Sequence, residues 1–270
     1  MRSITPQCPI QGVVFDFGST LSITHASWPT IIADGGCAID AGLREAGLDL
    51  PADFPALWAA MLRFSIQQAE RDGIERSADS VLSTLLASQG FEDISPDVVR
   101  RAADRHFAVE DGVRAPATGA AALLSELKAA GYRIGILSNT IGGHWVQHWT
   151  DTHGFRPYVN AVIVSDELGI RKPRSEIFLT TLERLGIDDP TRAVMVGDTL
   201  AHDIVGAQRV GMRTVLVALA EDQGFVSQSA TGERAILARP PVDATVRADA
   251  EITDLAALAP LLERWQVDGG

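Results

Sequence analysis

The chain has 270 residues, 46% of them hydrophobic, enough for one large domain or a domain with an insertion around a real core. Its formal net charge of −12 speaks against non-specific binding to nucleic acid or to an anionic membrane, both of which rest on clustered positive charge. No apolar run nears the roughly 20 residues of a membrane span, Met1 to Cys8 lacks a secretory h-region, and the two cysteines, Cys8 and Cys37, form neither a disulfide framework nor a Cys-x-x-Cys site. The expectation is therefore a cytoplasmic protein, monomer or homodimer, with no nucleic-acid or membrane partner.

Val13 to Leu21 opens the chain as an apolar run that predicts a buried strand, ending abruptly in Asp16, Gly18, Ser19 and Thr20. From Ser22 to Asp111 the pattern is helical without a convincing buried strand. Helices are predicted over Ile31 to Ala46, Phe54 to Glu70 and Ser77 to Ser88, and a fourth begins at Ser95-Pro96 with a serine N-cap and proline at the first position. Gly47, Gly73 and Gly90 punctuate the series. Trp28 is a candidate pocket wall there, and Trp58 a core residue.

From Pro116 onward helix and strand alternate. Helices over Thr118 to Ala130, Gly143 to Thr152, Ser175 to Leu185 and Leu200 to Val210 are interleaved with strands over Tyr132 to Leu137, Asn160 to Ser165, Ala193 to Val196 and Arg213 to Ala218. Such alternation predicts an α/β fold with a parallel sheet and right-handed crossovers. Ala220 to Val246 reads as a long loop, and a short strand near Ala250 precedes a closing helix over Asp254 to Trp265. His144 and His148 stand four apart, as do Trp145 and Trp149, which predicts an amphipathic helix with an inward aromatic stripe rather than a metal site.

Four segments end in chemistry. Asp16 follows the first strand, Ser138 the second, Lys172-Pro173 lies in the loop after Ser165, and Gly197-Asp198-Thr199 with Asp203 follows the strand containing Met195. Parallel strands present such ends along one edge, where they can converge. Together they offer a carboxylate nucleophile, a hydroxyl, a cation and further carboxylates for a metal. Phosphoryl transfer asks for this combination, with Mg²⁺ as the cation suited to an oxygen-only site. Lys172 is conspicuous, since the only other lysine is Lys128; its flanking Arg171 and Arg174 read as solvated.

The segments Phe15 to Leu21, Ile136 to Thr140, Gly169 to Pro173 and Val196 to Ala207 resemble, in order and spacing, the motifs of haloacid dehalogenase-like (HAD) hydrolases. The resemblance implies a Rossmann-like core, residues 1–21 and 112–270, with an inserted all-helical cap, residues 22–111. It implies Mg²⁺-dependent hydrolysis of a small phosphorylated metabolite through an aspartyl-phosphate. Asp16, Ser138 and Lys172 would be catalytic, and Asp16, Asp198, Asp203 and the Gly18 carbonyl would serve the metal. Thr20, Asn139 and His25 are assigned to the substrate side, His25 also as an imidazole at the hinge able to move a proton.

One position departs from the pattern: Gly18 stands where the phosphatase members carry a second aspartate as general acid/base. A phosphonate-cleaving relative is set aside because no lysine lies between Ser22 and Asp111. Two alternatives remain beside the phosphatase: a damped protein that binds a phosphorylated ligand, and a 2-haloacid dehalogenase, which would not need Asp198 and Asp203.

Overall fold

A computed structural model describes residues 9–219, 243 and 245–267. Six parallel strands form one sheet in the order β5-β4-β1-β6-β7-β8: β1 (Gly12–Phe15), β4 (Arg133–Ser138), β5 (Ala161–Val164), β6 (Ala193–Gly197), β7 (Arg213–Val217) and β8 (Ala250–Ile252). Side chains alternate across it, as a period of two requires. Val13, Phe15, Ile134, Ile136, Val194 and Val196 join one apolar cluster, while Val14, Leu137 and Met195 join a second on the opposite face. The helices α5 (Ala120–Ala129) and α10 (Leu258–Val267) supply Leu123, Leu127 and Leu262 to the first, and α8 (Ser175–Leu185) supplies Ile177, Phe178 and Leu182 to the second. The result is the expected α/β Rossmann-like core.

Four helices fill the span between the first two sheet strands: α1 (Trp28–Glu45), α2 (Phe54–Asp72), α3 (Ala78–Ser88) and α4 (Pro96–Asp111). Ser27 and Ser77 cap α1 and α3, each side-chain oxygen accepting from the backbone N–H three residues on. Ser95 holds the predicted N-cap position of α4, but its side chain makes no capping bond. Gly73 ends α2 with φ of 69°, where a side chain would be strained. The inserted helices share the first apolar cluster with the sheet, which runs from Val13 and Phe17 through Trp149 and Phe107 to Trp58 and Leu82.

Two elements differ from expectation. A two-stranded antiparallel ribbon, β2 (Ser22–Thr24) with β3 (Arg114–Pro116), brackets the four helices. Three-residue strands are too short to carry an alternation signal, so the sequence pattern passes over them. The predicted Leu200 to Val210 helix begins with a π turn, Leu200–Ile204, before α9 (Val205–Val210). Such wide turns concentrate at functional sites, and this one carries Asp203. Two short helices complete the described chain, α6 (Gly143–Thr152) and α7 (Ser165–Leu168). Cys8 and most of the long Ala220 to Val246 loop lie outside the described residues. Among the described residues no helix is long and apolar enough to cross a membrane.

Candidate active site

β1 stops at Phe15, and the Asp16 N–H bonds to the Val196 carbonyl at 2.8 Å, so the carboxylate leaves the sheet at its C-terminal edge between two strand ends. The Lys172 ammonium meets it there. Lys172 Nζ donates to Asp16 Oδ1 at 2.6 Å, to Asp203 Oδ1 at 2.6 Å and to the Leu137 carbonyl at 2.9 Å, satisfying all three of its donors. Asn139 fixes this lysine from behind: its side-chain oxygen accepts from the Lys172 N–H at 2.8 Å and its amide donates to the Lys172 carbonyl at 3.1 Å. Asn139 therefore positions Lys172 with both ends of its amide, and it also lines the cavity.

Asp203 closes the group. The π turn folds it back so that its second oxygen accepts from the Thr199 N–H at 3.0 Å, and a Cβ on Gly197 would collide with it at 2.4 Å. A glycine at the end of β6 thus makes room for a carboxylate. Asp16, Asp198 and Asp203 each offer an oxygen within 4.8 Å of the others. Ser138, the last residue of β4, lines the same cavity and is buried.

Burial pushes the Asp16 carboxyl up to about 7, Asp203 and Asp198 adding to the rise while Lys172 opposes it. Lys172 moves the other way. Burial alone would lower it, but the Asp16 and Asp203 carboxylates outweigh that and hold it at about 12, so the ammonium stays charged. Three carboxylates around one ammonium, Asp16 and Asp203 buried and Asp198 partly exposed, leave a deficit of positive charge. An oxygen-only donor set with that deficit fits a hard divalent cation such as Mg²⁺.

Gly18 lines the cavity, and an added Cβ there would meet nothing within 4 Å. The place of the absent aspartate is open space. Two expected substrate residues are not brought to it. His25 is exposed at the end of β2, its N–H bonded to the Val113 carbonyl, and does not line the cavity, because the ribbon turns its side chain to solvent. Thr20 is wholly buried beneath the first loop, its hydroxyl without a protein partner.

The cavity, about 240 Å³, continues between the sheet edge and the inserted helices. Here the structure adds residues that sequence reasoning missed. Arg171, read as solvated, is buried; it bonds Glu70 at 2.9 Å and approaches Glu75 at 3.5 Å, and the second Glu70 oxygen lies 2.8 Å from His202 Nε2. Arg174 is exposed, as expected. Glu75 also accepts from Ser165 Oγ at 2.8 Å, on a segment whose backbone pairs with Gly169 and Arg171. Further along, Arg114 bonds Glu110, donates to Ser22 Oγ at 3.2 Å and lies with its guanidinium carbon 4.3 Å from the Trp149 ring. The only sequence signal for that pair was its i, i+4 spacing, which surface helices use everywhere. Trp28 lines the cavity and Trp58 is core, both as read. On α6, His144 bonds Asp104 at 2.6 Å and His148 lies 3.7 Å from Asp111, so each imidazole faces a carboxylate of α4.

Comparison with known proteins agrees with this geometry. The chain is 40% identical over 96 residues to a glyceraldehyde 3-phosphate phosphatase of Methanothermobacter thermautotrophicus, covering 35% of this chain and 41% of the relative. It is 35% identical over 99 residues to the pyrimidine 5′-nucleotidase YjjG of Escherichia coli, covering 37% and 43%. The matches thus span about two fifths of these relatives' length. Among solved structures, a 2-haloacid dehalogenase from Pseudomonas syringae superposes with a TM-score of 0.63 at 24% identity, covering 95% of this chain and 99% of that one. The HAD-hydrolase YfnB from Bacillus subtilis, bound to magnesium, gives 0.56 at 20%, covering 94% and 99%. Those two likenesses speak for the fold alone. The model of the haloacid dehalogenase-like hydrolase family matches residues 10–211, a stretch that begins just before β1 and ends just after α9, and so takes in every strand end that feeds the cavity; the chain belongs to that family.

Proposed function

We propose that this protein hydrolyses a small-molecule phosphomonoester with Mg²⁺, through an aspartyl-phosphate on Asp16, under a helical cap formed by residues 22–111 over a core of residues 1–21 and 112–270. The observation that carries the reading is the buried contact of Lys172 with both Asp16 and Asp203, in a group of three carboxylates that one ammonium cannot neutralise. Asp16, Asp198 and Asp203, with the Gly18 carbonyl, would hold the cation. When bound, it supplies positive charge at the phosphoryl oxygens.

Asp16 attacks phosphorus, the ester P–O bond breaks, and the leaving alkoxide takes a proton from water, because Gly18 offers no acid. Ser138 and Lys172 bind the transferring phosphoryl oxygens, Lys172 giving up its Asp16 contact as that carboxylate bonds to phosphorus and gathering the charge that spreads over them. Water then attacks the acyl phosphate and restores Asp16. Relatives named as a glyceraldehyde 3-phosphate phosphatase and a pyrimidine 5′-nucleotidase support a phosphorylated small molecule as substrate, and the oxygen-only cluster of Asp16, Asp198 and Asp203 supports the metal.

Gly18 favours one second reading, a protein that accepts or holds a phosphoryl group with little turnover. Incubation with acetyl phosphate and Mg²⁺ separates the two. Steady phosphate release supports hydrolysis, and stoichiometric labelling of Asp16 without release supports the damped form. Halide release from 2-chloropropionate with no phosphate release would replace both with chemistry at carbon.

A further inference from the structure

Among the described residues, every lysine and arginine that lines the cavity already has a carboxylate partner. Lys172 has Asp16 and Asp203, Arg171 has Glu70 and Glu75, and Arg114 has Glu110. Of the two lining histidines, His202 faces Glu70 at 2.8 Å, and His106 is 2% exposed with its Nδ1 against Gly35 and without a partner. Burial lowers the His106 pKa, with Glu110 opposing, so this imidazole is neutral near pH 7.

Six lining carboxylates, Asp16, Glu70, Glu75, Glu110, Asp198 and Asp203, outnumber the three cations. A divalent cation and the phosphoryl group it accompanies leave that imbalance in place, so a second anion on the substrate would meet, among the described residues, no cation free of a carboxylate partner. The cavity also has apolar lining, contributed by Trp28, Ile32, Leu62, Ile66, Phe107 and Trp149. A buried unpaired charge is strongly disfavoured, whereas apolar surface entering such a wall is favoured.

Resting on the phosphatase reading above, we propose that the substrate is a single-phosphate ester of an uncharged, largely apolar alcohol, and that Glu110 sets this preference by occupying Arg114. Glu110 and Arg114 are each 5% exposed at the side chain, so their pairing is not diluted by solvent. Arg114 sits against Trp149 and, at 5.7 Å, the ring of Phe17 beside the nucleophile. Selectivity arises here by withholding a cation, a repulsive device as much as an attractive one.

The test uses two esters that differ by one charge far from phosphorus, benzyl phosphate and 4-carboxybenzyl phosphate, with Mg²⁺. The wild-type protein should favour benzyl phosphate by about 30-fold or more in kcat/KM, and Glu110→Gln should cut that preference at least tenfold by lowering KM for the carboxylate ester. Where Glu110→Gln misfolds, the double variant Glu110→Gln, Arg114→Gln removes both charges and should keep the wild-type preference. Equal use of the two esters by the wild type, or a preference for the carboxylate, overturns the proposal. Absence of phosphate release from either ester and from acetyl phosphate would count against hydrolysis alone. The charge preference is then read from calorimetric binding of benzylphosphonate and 4-carboxybenzylphosphonate, where equal affinities reject it.

Discussion

At the sheet end of the cavity Lys172 is shared by carboxylates that arrive on different strand ends, 156 and 31 residues away in the chain. At the helical end Arg114 is held by Glu110, only four residues away. The first arrangement leaves negative charge in excess and, on the proposed function, would draw a cation and a phosphoryl group. The second is balanced, and with the apolar wall around it offers shape and greasiness in place of charge. On the proposed function, reactivity in this cavity would come from imbalance among buried groups and selectivity from balance.

Breaking the sheet end should cost most. Asp16→Asn removes the nucleophile but keeps nearly the same volume, and phosphate release should fall by about 10⁴-fold or more, with no acyl phosphate trapped on acid quench. Lys172→Met leaves Asp16 in place yet strips charge from the transferring group, for a loss of about 10²–10³-fold in kcat. Circular dichroism should establish that both variants fold. A Lys172→Met protein with wild-type kcat would mean that the ammonium only balances Asp203.

Gly18→Asp sharpens the contrast by adding a carboxyl where the sheet end has open space. It should raise kcat toward alkyl phosphates by about 10²-fold, the lower range of general acid catalysis, and raise it little for acetyl phosphate, whose leaving group needs no proton. If it instead abolishes a robust activity, the space belongs to a substrate or cap group.

The smallest expected effect lies beyond the helical end. His153, half-buried, lies 3.0 Å from Ser22 Oγ, and burial, then the Arg114 charge, lower its pKa to about 4. Its folded pKa lies below the unfolded value near 6.5, so between those values the unfolded chain binds more protons. Stability is full above pH 6.5 and is lost as pH falls toward 4. His153→Phe should flatten that segment of a urea-denaturation pH profile without altering kcat at pH 7.5. An unchanged slope would assign the acid sensitivity elsewhere.

The strand ends that meet at the cavity were legible because each is a short contiguous signature: an apolar run ending in Asp16, another in Ser138, a third in Gly197-Asp198-Thr199. The helical insertion was legible from its apolar period, its punctuating glycines and, at α4, Ser95-Pro96, although Ser95 makes no capping bond. Arg171 was misread as solvated, since neither Glu70 nor Glu75 is near it in sequence and only the docking of the α2–α3 loop on Gly169 and Arg171 buries it. His25 was credited with a place in the cavity because proximity along the chain says nothing of the direction a two-stranded ribbon gives its end.

The sequence by itself determined the order of elements, the parallel core and the chemical types at each strand end, because backbone propensity, hydrophobic period and glycine placement act over a few neighbours. Only the tertiary structure decided which charges neutralise one another, that Asn139 grips the Lys172 backbone, and that Gly18 opens onto empty space. Those outcomes depend on burial and on approaches between residues tens to more than a hundred positions apart, and electrostatic energies are large only where the fold has already removed the water.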